Sequence, residues 1–133
     1  MSPAVVDASV LAVFYLTEDR RRVAVVVRLT AGDAMYAPAH LDTEVVSALR
    51  GLARGNPALR RVVPAVLRHL AGLPVQRMPL APLLERMWAL RENVTAYDAA
   101  YVALAERLTA TVTTCDAKLA AASGTRCAFD LIS

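Results

Sequence analysis

The sequence has few glycines, two cysteines and two histidines, and each scarcity argues against a class of site. Cys115 and Cys127 are too few for a zinc site and lie in no CxxC pair or nucleophile motif, so we interpret both as reduced core residues. The five glycines form no GxGxxG turn, which argues against a dinucleotide-binding module. His40 and His69 have no paired ligand or nucleophile in the sequence, so we assign them no chemistry.

Long apolar runs and linkers are also missing. No uninterrupted apolar run approaches the roughly 20 residues that a membrane-spanning helix needs. The N-terminal apolar run contains Asp7, where a signal peptide would keep its apolar region free of acids. No Pro, Gly or Ser-rich linker and no low-complexity tract divides the 133 residues. We therefore expect a cytoplasmic protein with a single domain over residues 1–133 and no membrane contact.

The composition that remains is apolar and rich in arginine. Apolar residues make up 56% of the chain and are mainly Ala, Val and Leu, which is typical of a helix-rich chain with tightly packed strands. Of the 15 basic residues 14 are Arg, against 12 acids, and the net charge is +3. This balance suits a polyanionic partner, because Arg binds phosphate bidentately, although codon bias also produces Arg-rich chains.

Hydrophobic periodicity predicts alternating strands and helices. Residues 75–78 fit either a strand or a connector, Pro64 should kink or split its helix, and Thr95 is an expected N-cap. The predicted strands are 3–7, 34–38, 111–115 and 126–129. The predicted helices are 8–16, 20–32, 40–55, 57–72, 80–92, 96–108 and a short one in 118–123. This alternation predicts an α/β domain with a mainly parallel sheet, whose ligands gather beyond the carboxyl ends of the strands.

Two acids directly follow predicted strands. Asp7 closes the first strand and Asp116 closes a later one, so a parallel sheet brings both to the same edge. An acid after a strand is also a common helix cap, and either residue taken alone fits that interpretation equally well.

Two further acids lie on predicted helices close to the apolar stripe. Glu44 comes three residues after Leu41 and four before Ala48, and Asp98 has Tyr101 at the third following position. Each could lie at the exposed edge of its stripe. A buried, unpaired carboxylate costs several kcal/mol or takes up a proton, so four such acids together indicate a bound cation. The oxygen-only ligand set favours Mg²⁺, with Mn²⁺ as a plausible substitute.

Four short motifs resemble those of PIN domains, in order and at customary separations, and the nearest likeness is to bacterial VapC-type toxins. They are VVDAS at 5–9, HLDTEVVSALR around Glu44, YDAAYVALAE at 97–106 and TTCDAKL at 113–119. The resemblance implies a three-layer sandwich of helices around a parallel five-stranded sheet, and a magnesium-dependent endoribonuclease. It also implies a cognate antitoxin whose tail occupies the groove, and a homodimer or a toxin–antitoxin hetero-oligomer.

The resemblance carries over to named residues. Asp7, Glu44, Asp98 and Asp116 all match acids of the family, Thr114 matches a frequent hydroxyl that orients the site, and Ser9 is a second supporting residue. We expect Asp7, Asp98 and Asp116 to hold one or two Mg²⁺ ions, with Glu44 binding the second ion or orienting a water as general base.

Other residues have less specific assignments. Trp88 and Tyr101 lie at helical spacing among apolar neighbours and are predicted to be core or dimer contacts. The arginines around the groove are candidates for RNA binding, although each also fits a solvated helix face. By sequence, the first candidates are Arg20, Arg21, Arg22, Arg50 and Arg54.

Three other functional classes fit less well or differ only in activity. A haloacid-dehalogenase-type phosphatase needs a second Asp two residues after the first, and that position is Ser9. A response-regulator receiver needs paired acids near the first strand, which the sequence does not have. The remaining alternative is a catalytically silent domain of the same fold that binds RNA or a protein.

Overall fold

Within the residues that the computed structural model describes, 3–133, five strands form one parallel sheet. Their order across the sheet is β3-β2-β1-β4-β5, and each neighbouring pair is parallel. The strands are β1 (Ala4–Val6), β2 (Met35–Pro38), β3 (Val75–Met78), β4 (Thr111–Thr114) and β5 (Ala128–Leu131). The prediction of a mainly parallel sheet is confirmed. Residues 75–78 form β3, the strand at one of its two edges.

Helices connect the strands and cover the sheet in a three-layer arrangement. A short 3₁₀ turn at Ala81–Leu83 precedes the fifth helix. The helices are α1 (Ala8–Tyr15), α2 (Arg22–Leu29), α3 (Leu41–Ala53), α4 (Pro57–Ala71), α5 (Leu84–Ala89), α6 (Ala96–Leu108) and α7 (Ala117–Ala120). Among these helices of residues 3–133, none is both long and apolar enough to cross a membrane.

The most buried helix is α6. Its residues 99–105 are all buried, and the helix packs against β1, β2 and β4. Their small and apolar side chains, AAYVALA, allow this close approach to the sheet. Helix α1 packs against α2, α3 and β4, and α3 packs against α4. The first turns of α1, α3 and α6 therefore lie on well-packed elements.

Side-chain caps set the starts of the helices that follow β1 and β4. Asp7 accepts the N–H of Val10 at the start of α1, and Asp116 accepts N–H groups at the start of α7. Thr95 caps α6 as predicted, with its hydroxyl accepting the N–H of Asp98. Both strand-end acids thus stand at the junction between a strand and a helix, at the carboxyl edge of the sheet.

Some predicted elements differ from the structure. Helix α4 continues through Pro64, so the predicted split is wrong, because this residue lies on the exposed side where water reaches the carbonyl left without a partner. The predicted helix 80–92 is instead the 3₁₀ turn followed by the short α5. Trp88 is 68% exposed and is not a core residue, whereas Tyr101 is buried as predicted. Cys115 and Cys127 are free and pack against the core.

Candidate active site

Asp7 is the most enclosed acid of the candidate site. Only 5% of the residue is exposed, and both carboxylate oxygens accept hydrogen bonds. Oδ1 accepts the hydroxyl of Ser9 at 2.6 Å and the N–H of Val10 at 3.2 Å. Oδ2 accepts the hydroxyl of Thr114 at 2.5 Å. The carboxylate is therefore held in one orientation at the end of β1.

Burial raises the pKa of Asp7 to about 6, because removal from water disfavours the charged form. The hydrogen bonds from Ser9, Thr114 and the Val10 N–H act in the opposite direction, and the nearby charge of Asp98 raises the pKa further. Near neutral pH the protein therefore keeps this carboxylate charged at an energetic cost.

Ser9 and Thr114 join the two strand ends. The Thr114 hydroxyl accepts the N–H of Asp116 at 2.9 Å while donating to Asp7. The Ser9 hydroxyl accepts the N–H of Cys115 at 2.9 Å while donating to the same carboxylate. These bonds span more than a hundred residues of sequence and fix the β4–α7 junction beside the β1–α1 junction. Both residues predicted to support the site lie in contact with Asp7.

Asp116 is half-buried and uses one oxygen as the cap of α7. Its Oδ1 accepts the N–H groups of Lys118 at 2.9 Å and Leu119 at 3.4 Å. Its Oδ2 accepts no hydrogen bond from residues 3–133. Both strand-end acids are therefore helix caps, as the sequence allowed. In Asp116 the cap uses one carboxylate oxygen and leaves the other without a partner among residues 3–133.

Glu44 lies in the first turn of α3, and two neighbours hold the same oxygen. Oε1 accepts the buried hydroxyl of Tyr101 at 2.6 Å and lies 3.2 Å from Nε2 of His40. Burial opposes ionisation, but the hydrogen bonds with His40 and Tyr101 and the charge of His40 together lower the pKa of Glu44 below its usual range. Oε2 accepts no hydrogen bond from residues 3–133.

His40 belongs to this cluster, and the sequence analysis missed it. Its Nε2 also lies 3.1 Å from the carbonyl oxygen of Tyr97, and the hydrogen bond with Glu44 raises the pKa of the imidazole despite burial. Its Nδ1 is buried without a partner among the described residues. The spacing of His40, four residues before Glu44 at a helix start, is the local signal that identifies this pair.

Asp98 interacts electrostatically with each of the other three acids. Its carboxyl is half-buried, and burial raises its pKa, followed by the negative charges of Asp116 and Glu44. The charge of Asp98 in turn raises the pKa of Asp7. The four acids thus share one electrostatic environment. Within residues 3–133, no group of three His, Cys, Asp or Glu side chains is close enough together to hold a metal ion.

The Tyr101–Glu44 hydrogen bond gives a direct test of how firmly Glu44 is held. Tyr101 is 1% exposed, so Tyr101→Phe removes a buried donor to a charged acceptor and should lower the free energy of unfolding by about 2 kcal/mol. Tyr97→Phe is the matched control on the same helix, since Tyr97 is 64% exposed and its hydroxyl makes no hydrogen bond within residues 3–133. Urea denaturation of both variants measures the effect, and equal stabilities would contradict it.

The five arginines predicted to bind RNA fall into two groups. Arg21 binds Asp19 through two nitrogens, at 3.0 and 2.8 Å, and Arg22 donates to the carbonyl of Phe14 at 2.8 Å. Both therefore have partners within the protein. The other three, Arg20, Arg50 and Arg54, are exposed and make no hydrogen bond or ion pair within residues 3–133.

A groove opens beside the acids. It has a volume of about 350 Å³ and is lined by Ser9 and Asp116 from the acid cluster and by Leu52 of α3. The Asp19–Arg21 pair also lines it. Asp116 is the member of the four acids that lines this open groove.

A comparison with protein-family models identifies the family. The model of the PIN domain matches residues 4–124, which include all four acids. The chain belongs to the PIN domain family. This confirms the resemblance seen in the four sequence motifs.

Known relatives of this PIN domain extend the match over almost the whole chain. Ribonuclease VapC12 of Mycobacterium tuberculosis is 36% identical over 134 aligned positions, which cover 97% of this chain and 98% of the relative. The resemblance to VapC-type proteins is therefore confirmed as well.

Solved structures with the same fold are more distant in sequence. PAE2754 from Pyrobaculum aerophilum superimposes with a TM-score of 0.72 at 23% identity, covering 98% of this chain and 84% of that one. VapC20 of Mycobacterium tuberculosis, a toxin that cleaves the sarcin–ricin loop, gives a TM-score of 0.69 at 17% identity, covering 92% and 96%. At these identities the likeness concerns the fold, and it confirms the predicted three-layer sandwich around a parallel five-stranded sheet.

Proposed function

We propose that this PIN domain is a magnesium-dependent endoribonuclease, acting in the cytoplasm as the toxin of a toxin–antitoxin pair. The observation that carries the proposal is that Asp98 lies near enough to Asp7, Glu44 and Asp116, from three other segments, to interact electrostatically with each, at the carboxyl edge of the sheet. Relatives over the full length of the chain are named ribonucleases, which supports RNA as the substrate class. A cognate antitoxin and a homodimer or hetero-oligomer are part of the same proposal.

The donor set fits a hard divalent cation. All four ligand candidates are carboxylates; burial and then repulsion from Asp116 and Glu44 raise the pKa of Asp98, and a bound cation would offset that repulsion. Oxygens without a hydrogen-bond partner among residues 3–133 are present on Asp116 and Glu44. In this proposal Asp7, Asp98 and Asp116 hold one or two Mg²⁺ ions. When bound, such an ion neutralises phosphate charge and lowers the pKa of water.

The remaining residues position the reacting groups. Glu44 Oε2 accepts a proton from the water that attacks the scissile phosphorus, while Tyr101 and His40 fix Oε1 so that Oε2 keeps its direction. The P–O bond to the leaving nucleotide oxygen breaks, and that oxygen takes a proton from solvent. Ser9 and Thr114 hold Asp7 in its orientation, which keeps the charge of this acid next to Asp98. The preorganised hydrogen bonds mean that little reorganisation is needed during the reaction.

Metal removal tests the proposal. The purified chain should cleave total bacterial RNA in Mg²⁺, lose this activity when EDTA is in excess, and regain it when Mn²⁺ or Mg²⁺ is added back. Denaturing gels of end-labelled RNA measure cleavage. Undiminished cleavage in EDTA would contradict metal dependence and would point to a contaminating nuclease.

A catalytically silent domain that binds RNA or a protein is the second candidate. The fold and the basic charge fit this candidate as well. It predicts a different result, namely that RNA binds but remains intact in Mg²⁺. Comparison of the wild-type chain with Asp98→Ala distinguishes the two, since only an enzyme shows cleavage that this substitution removes.

A further inference from the structure

The basic charge of this protein is concentrated in one segment. Positions 45–84 contain six arginines and no Asp or Glu. One of the six, Arg77, binds Asp42 at 2.9 Å and also donates to backbone carbonyls, so its charge is compensated. The other five lie on α3, on α4 or at the turn between them, and all are exposed: Arg50, Arg54, Arg60, Arg61 and Arg68.

These five arginines have no partner in the part of the chain that the structure describes. None donates a side-chain hydrogen bond or forms an ion pair with any residue of 3–133. Several arginines in other segments differ, since Arg21, Arg28 and Arg86 each pair with a carboxylate. A group of like charges left uncompensated raises the free energy of the folded state, and a polyanion relieves that repulsion.

Helix geometry places the three arginines of α4 on two exposed stripes. Arg61 and Arg68 are seven residues apart and therefore lie on one stripe of α4, opposite the stripe with the buried Leu59 and Leu70. Arg60 shares a second stripe with Leu67, also seven residues away, and Leu67 lines a cavity together with Val46 of α3. Arg60 consequently flanks α3.

Two of the five arginines follow an acid of the cluster along the same helix and its C-cap. Glu44 is in the first turn of α3, and Arg50 and Arg54 follow six and ten residues later, at about 9 and 15 Å along the helix axis. A nucleic acid strand with one phosphate at the acids thus has neighbouring phosphates within reach of these guanidinium groups. Each guanidinium donates to phosphate through a planar pair of N–H groups.

We propose that the α3–α4 hairpin, residues 41–71, is the surface along which the RNA backbone binds during cleavage. This inference rests on the proposed ribonuclease function and specifies where that site holds its substrate. The contacts are with phosphates, so they position the RNA without reading its sequence. In this proposal the hairpin arginines take the RNA-binding role that the sequence predicted for Arg21 and Arg22, because the side chains of those two already have partners in the protein.

The test compares two double variants with equal loss of charge. Arg61→Gln/Arg68→Gln removes two charges from the hairpin, and Arg107→Gln/Arg126→Gln removes two exposed charges from outside positions 45–84. Binding of a fluorescein-labelled 20-nucleotide RNA is followed by anisotropy in EDTA between 50 and 200 mM salt, with gels confirming that the RNA stays intact. A second measurement is single-turnover cleavage in Mg²⁺ over a range of protein concentrations.

The hairpin variant should bind about tenfold or more weakly at low salt, and its plot of log affinity against log salt should be shallower by about 1 to 1.5. Its half-saturating concentration in cleavage should rise while the maximal rate stays unchanged. The control variant should match the wild type in all three quantities. Cleavage by the wild type combined with an unaltered salt slope for Arg61→Gln/Arg68→Gln would overturn the hairpin surface. Absence of wild-type cleavage would instead overturn the proposed function.

Discussion

Replacing Asp98 by Asn is expected to reduce RNA cleavage in Mg²⁺ by at least about a thousandfold, which corresponds to several kcal/mol of transition-state stabilisation. Asp98 interacts electrostatically with Asp7, Glu44 and Asp116, so it is the acid whose loss most disturbs the site. The fold should be kept or slightly stabilised, because the substitution removes a half-buried charge that is repelled by its neighbours.

Two measurements separate this result from loss of structure. The urea midpoint of Asp98→Asn without metal should equal or exceed that of the wild type. Asp33→Asn makes the same chemical change just before β2, at the opposite edge of the sheet, and should leave the cleavage rate unchanged. Full cleavage by Asp98→Asn would exclude the acid cluster as the catalytic site.

The second large effect concerns the stability of the metal-free protein. The pKa of Asp7 is raised to about 6 in the folded state from an ordinary value of 3.8. Below about pH 3 the carboxyl is largely protonated in both states. As the pH rises from about 3 to above 6 the unfolded state ionises first, so the free energy of unfolding falls, by about 3 kcal/mol in total once the pH is above the folded-state pKa.

Asp7→Asn has no carboxyl at this position, so its free energy of unfolding should not fall in this way as the pH rises. Relative to the wild type, its stability should therefore improve by roughly 2 kcal/mol between pH 4 and pH 7, whatever the cost of the altered hydrogen bonds at pH 4. Ser9→Ala should make the fall in the free energy of unfolding larger than in the wild type, because it removes a hydrogen bond that lowers the pKa of Asp7. Urea denaturation in EDTA at pH 4, 5, 6 and 7 measures both. Parallel pH profiles for wild type and Asp7→Asn would contradict the buried, charged carboxylate.

The sequence allowed much of the fold and of the acid cluster to be predicted. Short apolar runs ending at Asp7 and Asp116, alternating with helical patterns, were enough to predict a parallel sheet with both acids at one edge. The limits of α6 and its Thr95 cap were also predicted, because capping and periodicity are local signals. Helix α5 was predicted too long, since an apolar-rich stretch fits a helix as well as a 3₁₀ turn.

The parts of the site that were missed depend on contacts between distant segments. Tyr101 was assigned to the core, which is correct, but its hydroxyl also binds Glu44, 57 positions away. Arg21 and Arg22 were grouped with free arginines, although Asp19 and a backbone carbonyl already hold them. No periodicity encodes such pairs, because they depend on how the helices pack against one another.

The sequence by itself determined which acids this PIN domain brings to one edge, because strand ends and helical stripes follow from local residue order. Only the tertiary structure decided how each acid is used: both oxygens of Asp7 are bound, whereas Glu44 and Asp116 each keep one oxygen without a partner among residues 3–133. The physical reason is that hydrogen bonding and burial depend on distances of tenths of an ångström between segments far apart in sequence.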